Sequence, residues 1–236
     1  MGTIANVFAV IIGGIIGLLL NDKLEKRFED SLMQALGLCV IFIGAGGAFT
    51  GMVKIINSKL STTGTMLMII SLLLGTLIGE IVRIEDRLEG LGERLKKLVK
   101  ANSNNQFVEG FLSNTLVICV GAMAVVGSLN DGLLGDHSML YAKAVLDAII
   151  TMVFAATLGI GTLFAALPLG IYQGAITVLS RFIAPYLNDA LISDLSFIGS
   201  ILIFGVGINL AFGKKFKVGN MLPAILVPVF YHLLFK

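Results

Sequence analysis

The sequence predicts an all-α polytopic membrane protein, and three observations carry that prediction. Hydrophobic residues fill 56% of the 236 positions and charged residues only 14%, well below the roughly one quarter usual for a soluble domain. Charge-free windows recur at 1–21, 31–53, 60–79, 110–130, 148–180, 195–213 and 218–235, each providing the roughly 17–25 helical residues that cross a hydrocarbon core of about 30 Å. These runs are continuous and apolar with scattered glycines, whereas a membrane β-barrel alternates in segments of about ten residues. No large soluble part remains, so the whole of 1–236 is expected to form a single integral membrane domain.

The windows resolve into about eight helices, near 3–20, 33–53, 62–83, 108–128, 140–158, 162–183, 196–212 and 218–235. The first lacks a basic leader and a small-residue cleavage pattern, so Met1 to Leu20 is expected to be a retained span. The run from Leu140 to Ile183 is too long for one crossing, since 44 residues at 1.5 Å each would reach about 66 Å. Gly159-Ile160-Gly161-Thr162 is its natural break, because paired glycines weaken a helix and permit a turn. In the eight-helix arrangement 12 of the 17 basic residues fall on one side. They follow the first helix (Lys23, Lys26, Arg27), the third (Arg83, Arg87, Arg94, Lys96, Lys97, Lys100) and the seventh (Lys214, Lys215, Lys217). The positive-inside rule makes that side cytoplasmic and puts both termini outside, with the acidic loop Leu129 to Ser138. A seven-helix count, with one segment not crossing, would put the termini on opposite sides.

Between the third and fourth helices, residues 83–100 carry Ile84, Leu88, Leu91, Leu95 and Leu98 at helical spacing on a strongly charged background. An amphipathic helix over 84–100 is expected, lying in the headgroup interface or pairing with a partner helix. Residues 101–106 read as a polar loop. Cys39 and Cys119 lie in apolar runs, where a thiol acts as a small hydrophobe. With no CxxC and only two histidines, no metal or cofactor is expected.

Internal similarity is faint but oriented. Gly37-Leu38-Cys39-Val40 resembles Val117-Ile118-Cys119-Val120, and Gly13, Ile16, Leu18 and Lys23 align with Gly205, Ile208, Leu210 and Lys215. Both pairs would run the same way across the membrane, as a parallel duplication does.

Several blocks together resemble a known family. Gly2-Thr3-Ile4-Ala5-Asn6 opens a glycine-rich helix, and the run from Gly121 to Gly132, GAMAVVGSLNDG, is the most specific part. Lys143-Ala144-Val145-Leu146-Asp147, Tyr172-Gln173-Gly174 and Asn220-Met221-Leu222-Pro223-Ala224 complete it. The chain is similar over essentially its whole length to the YdfK/YqgA-like bacterial membrane proteins of unknown function, domain-of-unknown-function family 554. That resemblance implies a multi-pass protein of the bacterial inner membrane and brings no established substrate.

Function is therefore sought in polar groups at spanning depth, where each needs a partner or a watery cavity. They are Asn6, Glu80, Asn114, Lys143, Asp147, Gln173, Asn209, Asn220 and His232. Lys143 and Asp147, at i and i+4, share a helix face and can pair. Asp147 lies about 10 Å into its helix and is too short to reach the interface, while Lys143 can snorkel. The pair is either a binding site or a structural ion pair holding the helix in register. Gln173, Asn114 and Asn209 would support a polar solute or ion at Asp147, and each alone is as readily an interhelical hydrogen bond. Glu80 with Arg83 reads as an interface anchor, His232 as interfacial and His137 as a loop residue. Gly44, Gly47 and Gly51, and Gly75 with Gly79, form small faces for close helix packing. Pro168 is expected to kink the sixth helix one turn before Gln173.

No Ser/His/Asp set, HExxH, phosphate loop or paired carboxylates appear, so no enzyme is expected. The net charge of +2 is accounted for by the basic loops, and nucleic acid is not an expected partner. The reading reached is a small secondary transporter or channel for an ion or small polar solute, with Asp147 as site residue and Lys143 as counter-ion. The alternative is a non-transporting scaffold or regulatory protein acting through 83–100. Partners are the bilayer and, from the abundance of glycine faces, a second copy of the chain.

Overall fold

The computed structural model describes residues 1–21, 26–56, 59–98, 106–119, 122–183, 185 and 188–234. Lys23, Lys100, Val120, Gly121 and most of the loop expected at 101–106 lie outside the described residues. The elements in chain order are α1 (Gly2–Asn21), α2 (Lys26–Met52), strands β1 (Val53–Ile56) and β2 (Lys59–Thr62), α3 (Thr65–Val82), α4 (Ile84–Leu98), α5 (Gln106–Cys119), α6 (Ala122–Leu134) and α7 (Ser138–Leu158). A 3-10 segment, Gly159–Ala165, leads into α8 (Ala166–Ile183) and then α9 (Asp189–Phe212). The last apolar stretch is α10 (Val218–Met221), a 3-10 turn (Leu222–Ile225) and α11 (Leu226–Leu234).

This is a polytopic α-helical membrane protein. Among the described residues five helical stretches are long and apolar enough to cross a membrane, Gly2–Leu20, Met33–Met52, Thr65–Val82, Ser138–Phe182 and Asp189–Phe212, or six if the bent pair α5 and α6 is one span. Two expected spans take another form. The helix expected at 108–128 is the pair α5 and α6, whose axes bend by 61°, and the one expected at 218–235 is three short pieces. A two-stranded ribbon was not expected either: β1 pairs antiparallel with β2, Val53 opposite Thr62 and Ile56 opposite Lys59. Its β-branched Val53, Ile55 and Ile56, followed by Asn57-Ser58, are a hairpin signal in hindsight.

The chain divides into two compact units, each discontinuous in sequence. The first comprises residues 1–36 and 88–186, and the second residues 37–87 and 187–236.

In the first unit α1 is the central strut. Gly2 lies against Leu140 and Gly17 against Met152 and Ala155, so α7 runs parallel to α1. Thr3 meets Thr177 and Asn6 meets Gln173, while Gly170 lies against Val7 and Gly14 against Leu163. α8 therefore runs back along α1, and the 45-residue stretch Ser138–Phe182 contains two antiparallel legs. The reversal falls at Gly159, whose φ of 74° belongs to the left-handed region that glycine adopts without strain. Pro168 does not kink a helix interior. It sits in the first turn of α8, directly after the 3-10 segment. Val10, Ile118, Ala165, Ala166 and Leu169 form the apolar centre of this unit.

In the second unit α2 packs antiparallel to α9 through its small face: Gly44 against Ser200 and Phe204, Gly47 against Ser200, Gly51 against Phe197. α3 packs in the same way on the last apolar stretch, Gly75 against Ala224 and Gly79 against Asn220. The core here is Phe197, Ile198 and Ala224, with Met52, Met68 and Leu72 packed against it. A methyl at Gly79 would fall onto the Asn220 carbonyl, whereas Gly46 faces open space. Gly79→Ala is therefore expected to cost about 1–3 kcal/mol through overpacking, and Gly46→Ala nothing; equilibrium unfolding in detergent checks both.

A polar lock closes one end of this unit. α3 ends at Arg83, with φ 56°, and the backbone N–H of Glu85 donates to Asn220 Oδ1 at 2.7 Å. Asn220 Nδ2 donates to Glu80 at 2.9 Å, Lys217 pairs with Glu80 and Lys214 with Glu85. The hydrogen bond and the charge of Glu80 hold the Lys217 ammonium above the usual lysine range. Glu80 thus serves this lock, and Arg83 pairs with Asp86 instead. His232 is tied to Asp194 at 2.9 Å.

Candidate functional site

The polar groups of the first unit gather along one face of α7. Residues 143, 147 and 151 recur every four positions, so Lys143, Asp147 and Thr151 form a stripe about 12 Å long at 1.5 Å per residue. All three are buried. Depth in an apolar bundle makes each of these groups costly unless it is partnered, and the neighbouring helices supply most of the partners.

Lys143 Nζ donates to Asp147 Oδ1 at 2.8 Å, to Oδ2 at 2.7 Å and to the Ile118 carbonyl at 2.7 Å. An ammonium has three protons, so Lys143 has no further donor to give. The carbonyl it meets lies near the end of the described part of α5. Lys143 therefore ties α7 to α5 through this bond. It does not snorkel to the interface: its side chain is 9% exposed.

Asp147 has a second neighbour from α1. Asn6 Nδ2 donates to Asp147 Oδ2 at 2.9 Å and to Gln173 Oε1 of α8 at 3.3 Å. Asn6 and Gln173 are both fully buried. The carboxylate fixes the orientation of the Asn6 amide, since only its NH2 end can face Asp147, and that in turn presents the oxygen of Gln173 to Asn6. Two atoms are then left over. Asn6 Oδ1, an acceptor, and Gln173 Nε2, a donor, have no hydrogen-bond partner. Buried polar groups are nearly always satisfied, so two orphans on abutting amides need an explanation.

One turn further along the stripe, Asn114 Nδ2 of α5 donates to Thr151 Oγ1 and to the Thr162 carbonyl, both at 3.0 Å. The Thr162 carbonyl comes from the 3-10 segment, where the reversal frees backbone from α-helical pairing. Beyond this layer Phe107, Phe154 and Leu158 are buried, and Phe107 and Phe164 are 5.4 Å apart, so apolar side chains follow the last polar layer. At its other end Thr3 and Thr177 approach to 3.3 Å. There Asp131 of α6 accepts from the Gly2 N–H at 3.0 Å and from the amino group of Met1, capping α1, with His137 Nδ1 at 2.6 Å.

Of the expected site residues, Asp147, Lys143 and Gln173 meet at one place, and Asn114 forms the adjoining layer. Asn209 does not join them. It belongs to the second unit, where its amide accepts from the N–H groups of Lys215 and Phe216 and donates to the Phe216 carbonyl, holding the loop after α9. Sequence reasoning put Asn6 at depth without assigning it to the site, and left out Thr151, Thr162 and the thread through Thr3 and Thr177. The four-residue recurrence from Asp147 to Thr151 was the available signal for one of these. The others meet across helices and had none.

Comparison with known proteins agrees over the full length. A model described as a protein of unknown function, DUF554, matches residues 1–233. The chain is similar to the uncharacterized membrane protein YdfK of Bacillus subtilis (strain 168), 32% identical over 228 residues, covering 96% of this chain and 93% of that one. It is also similar to the uncharacterized protein YqgA of Escherichia coli (strain K12), 30% identical over 231 residues, covering 96% of this chain and 94% of the other. No solved structure matches.

Proposed function

The chain belongs to the DUF554 family, and from the buried polar column of its first unit we propose that it is a small secondary transporter or channel for an ion or small polar solute, in a bacterial inner membrane and without enzymatic activity. One observation carries this: a Lys–Asp pair and four neutral hydrogen-bonding side chains stacked along α7 inside an apolar bundle, with the 3-10 segment Gly159–Ala165 beside them. Intramembrane ionisable groups and interrupted helices are the usual furniture of a permeation path. Flux in proteoliposomes, across cations, small acids and uncharged solutes, tests the reading. Asp147→Asn is expected to lower the transported flux at least tenfold; wild-type flux in that variant removes Asp147 from the site.

A second reading has one observation behind it. On α4, Leu91 and Leu98 are 46% and 78% exposed on a helix otherwise rich in charge, which suits a scaffold or regulatory protein that docks a partner, or a second copy of the chain, on this stripe. A cross-linking pull-down that recovers a stoichiometric partner, lost when Leu91 and Leu98 become Ser, favours it.

A further inference from the structure

We infer that the solute bound at the Asn6–Gln173 junction is electrically neutral, with a hydrogen-bond donor and an acceptor on neighbouring atoms, as in a small amide or polyol. The inference rests on the transport reading and narrows it. It follows from which valences are closed and which are open. Lys143 spends all three protons on Asp147 and Ile118, so no cationic donor is left to receive an anion. Asp147 accepts three hydrogen bonds, two from Lys143 and one from Asn6, and its charge is already matched. Bringing a net charge to this depth would leave one of three charges unmatched in a low-dielectric interior, which costs several kcal/mol.

The open valences are of another kind. Asn6 Oδ1 accepts and Gln173 Nε2 donates, both belong to fully buried side chains, and neither has a partner. The two amides already touch through the Asn6–Gln173 bond, so one small molecule can answer both atoms: its N–H or O–H to Asn6 Oδ1, its carbonyl or hydroxyl oxygen to Gln173 Nε2. The layers on either side, Thr3 with Thr177 and Asn114 with Thr151, are again neutral groups that both donate and accept. The ion pair then serves to orient Asn6, and through it Gln173, rather than to carry charge.

The test is stopped-flow light scattering on proteoliposomes of the full chain, with urea, acetamide and glycerol as uncharged probes. Potassium, acetate and glycine are followed by isotope uptake, with and without an imposed membrane potential. The expected result is entry of at least one uncharged probe several-fold faster than into protein-free vesicles, at a rate the potential does not change. Gln173→Met, which keeps the length of the side chain and removes the donor, is expected to cut that entry at least tenfold while the purified variant elutes as wild type. Uptake of potassium, acetate or glycine with no uncharged probe entering overturns the inference and leaves the transport reading standing. Faster water entry alone, or probe entry unchanged in Gln173→Met, overturns it as well. No flux of any probe overturns both.

Discussion

Asp147→Leu is expected to lose about 3–5 kcal/mol of stability, the cost of leaving a buried charge without its partner. Lys143 would keep its bond to the Ile118 carbonyl, but no anion would remain beside it, and Asn6 would lose its principal acceptor. The double variant Lys143→Met/Asp147→Leu removes both charges and fills similar volume. It is expected to recover at least half of that loss, because apolar replacement of a whole buried pair is often neutral. Recovery is incomplete, since the Ile118 carbonyl loses its ammonium donor and Asn6 keeps only its bond to Gln173. Unfolding of wild type, Asp147→Leu, Lys143→Met and the double variant in detergent gives the comparison. The cycle also separates the two roles open to the pair: with a purely structural pair, flux returns along with stability in the double variant, whereas with a site role the fold returns and flux does not.

The second large effect is expected at the contact that brings Asn6 to Asp147 at all. A Cβ at Gly13 would fall onto the carbonyl of Ala148, and one at Gly17 onto the carbonyl of Met152. Both obstacles are backbone, which cannot swing aside as a side-chain end can. Gly13→Ala and Gly17→Ala are each expected to cost about 1–3 kcal/mol and, combined, to lift α1 off α7. Gly174→Ala on α8, where a Cβ meets nothing within 4 Å, is the control and gains slightly in helix propensity. Because Asn6 rides on α1, the double glycine variant should also lose solute flux beyond its loss of stability. Flux retained in a destabilised Gly13→Ala/Gly17→Ala protein would show that the α1–α7 approach does not build the site.

The small faces at Gly44, Gly47, Gly51, Gly75 and Gly79 were legible because glycines at helical spacing have one common use in a membrane, and each lies against another helix. The reversal near Gly159 was legible for a length reason: one crossing cannot absorb 44 residues. The bend between α5 and α6 was not. A run without charge from Gly110 to Asn130 satisfies any test of composition, and hydropathy does not register where a helix axis changes direction. The partners of Glu80 were hidden for a related reason. Arg83 lies three residues away in sequence, whereas Lys217 and Asn220 are brought close only by the packing of α3 on the last apolar stretch. Asn209 shows the same limit from the other side: an amide at depth looks like a ligand until the loop it caps is in view.

By itself the sequence determined the class of the protein, because charge depletion leaves no water-stable surface, and it determined that Asp147 must be partnered, because Lys143 stands four residues along the same helix face. Tertiary structure decided what surrounds that pair. Only the packing of α1 between the two legs of the Ser138–Phe182 stretch sets Asn6 against both Asp147 and Gln173, contacts 141 and 167 residues apart in the chain. Periodicity reports the face on which a residue lies but not the helix that face will meet. The orphaned acceptor and donor exist only because three helices, remote in sequence, close on one point.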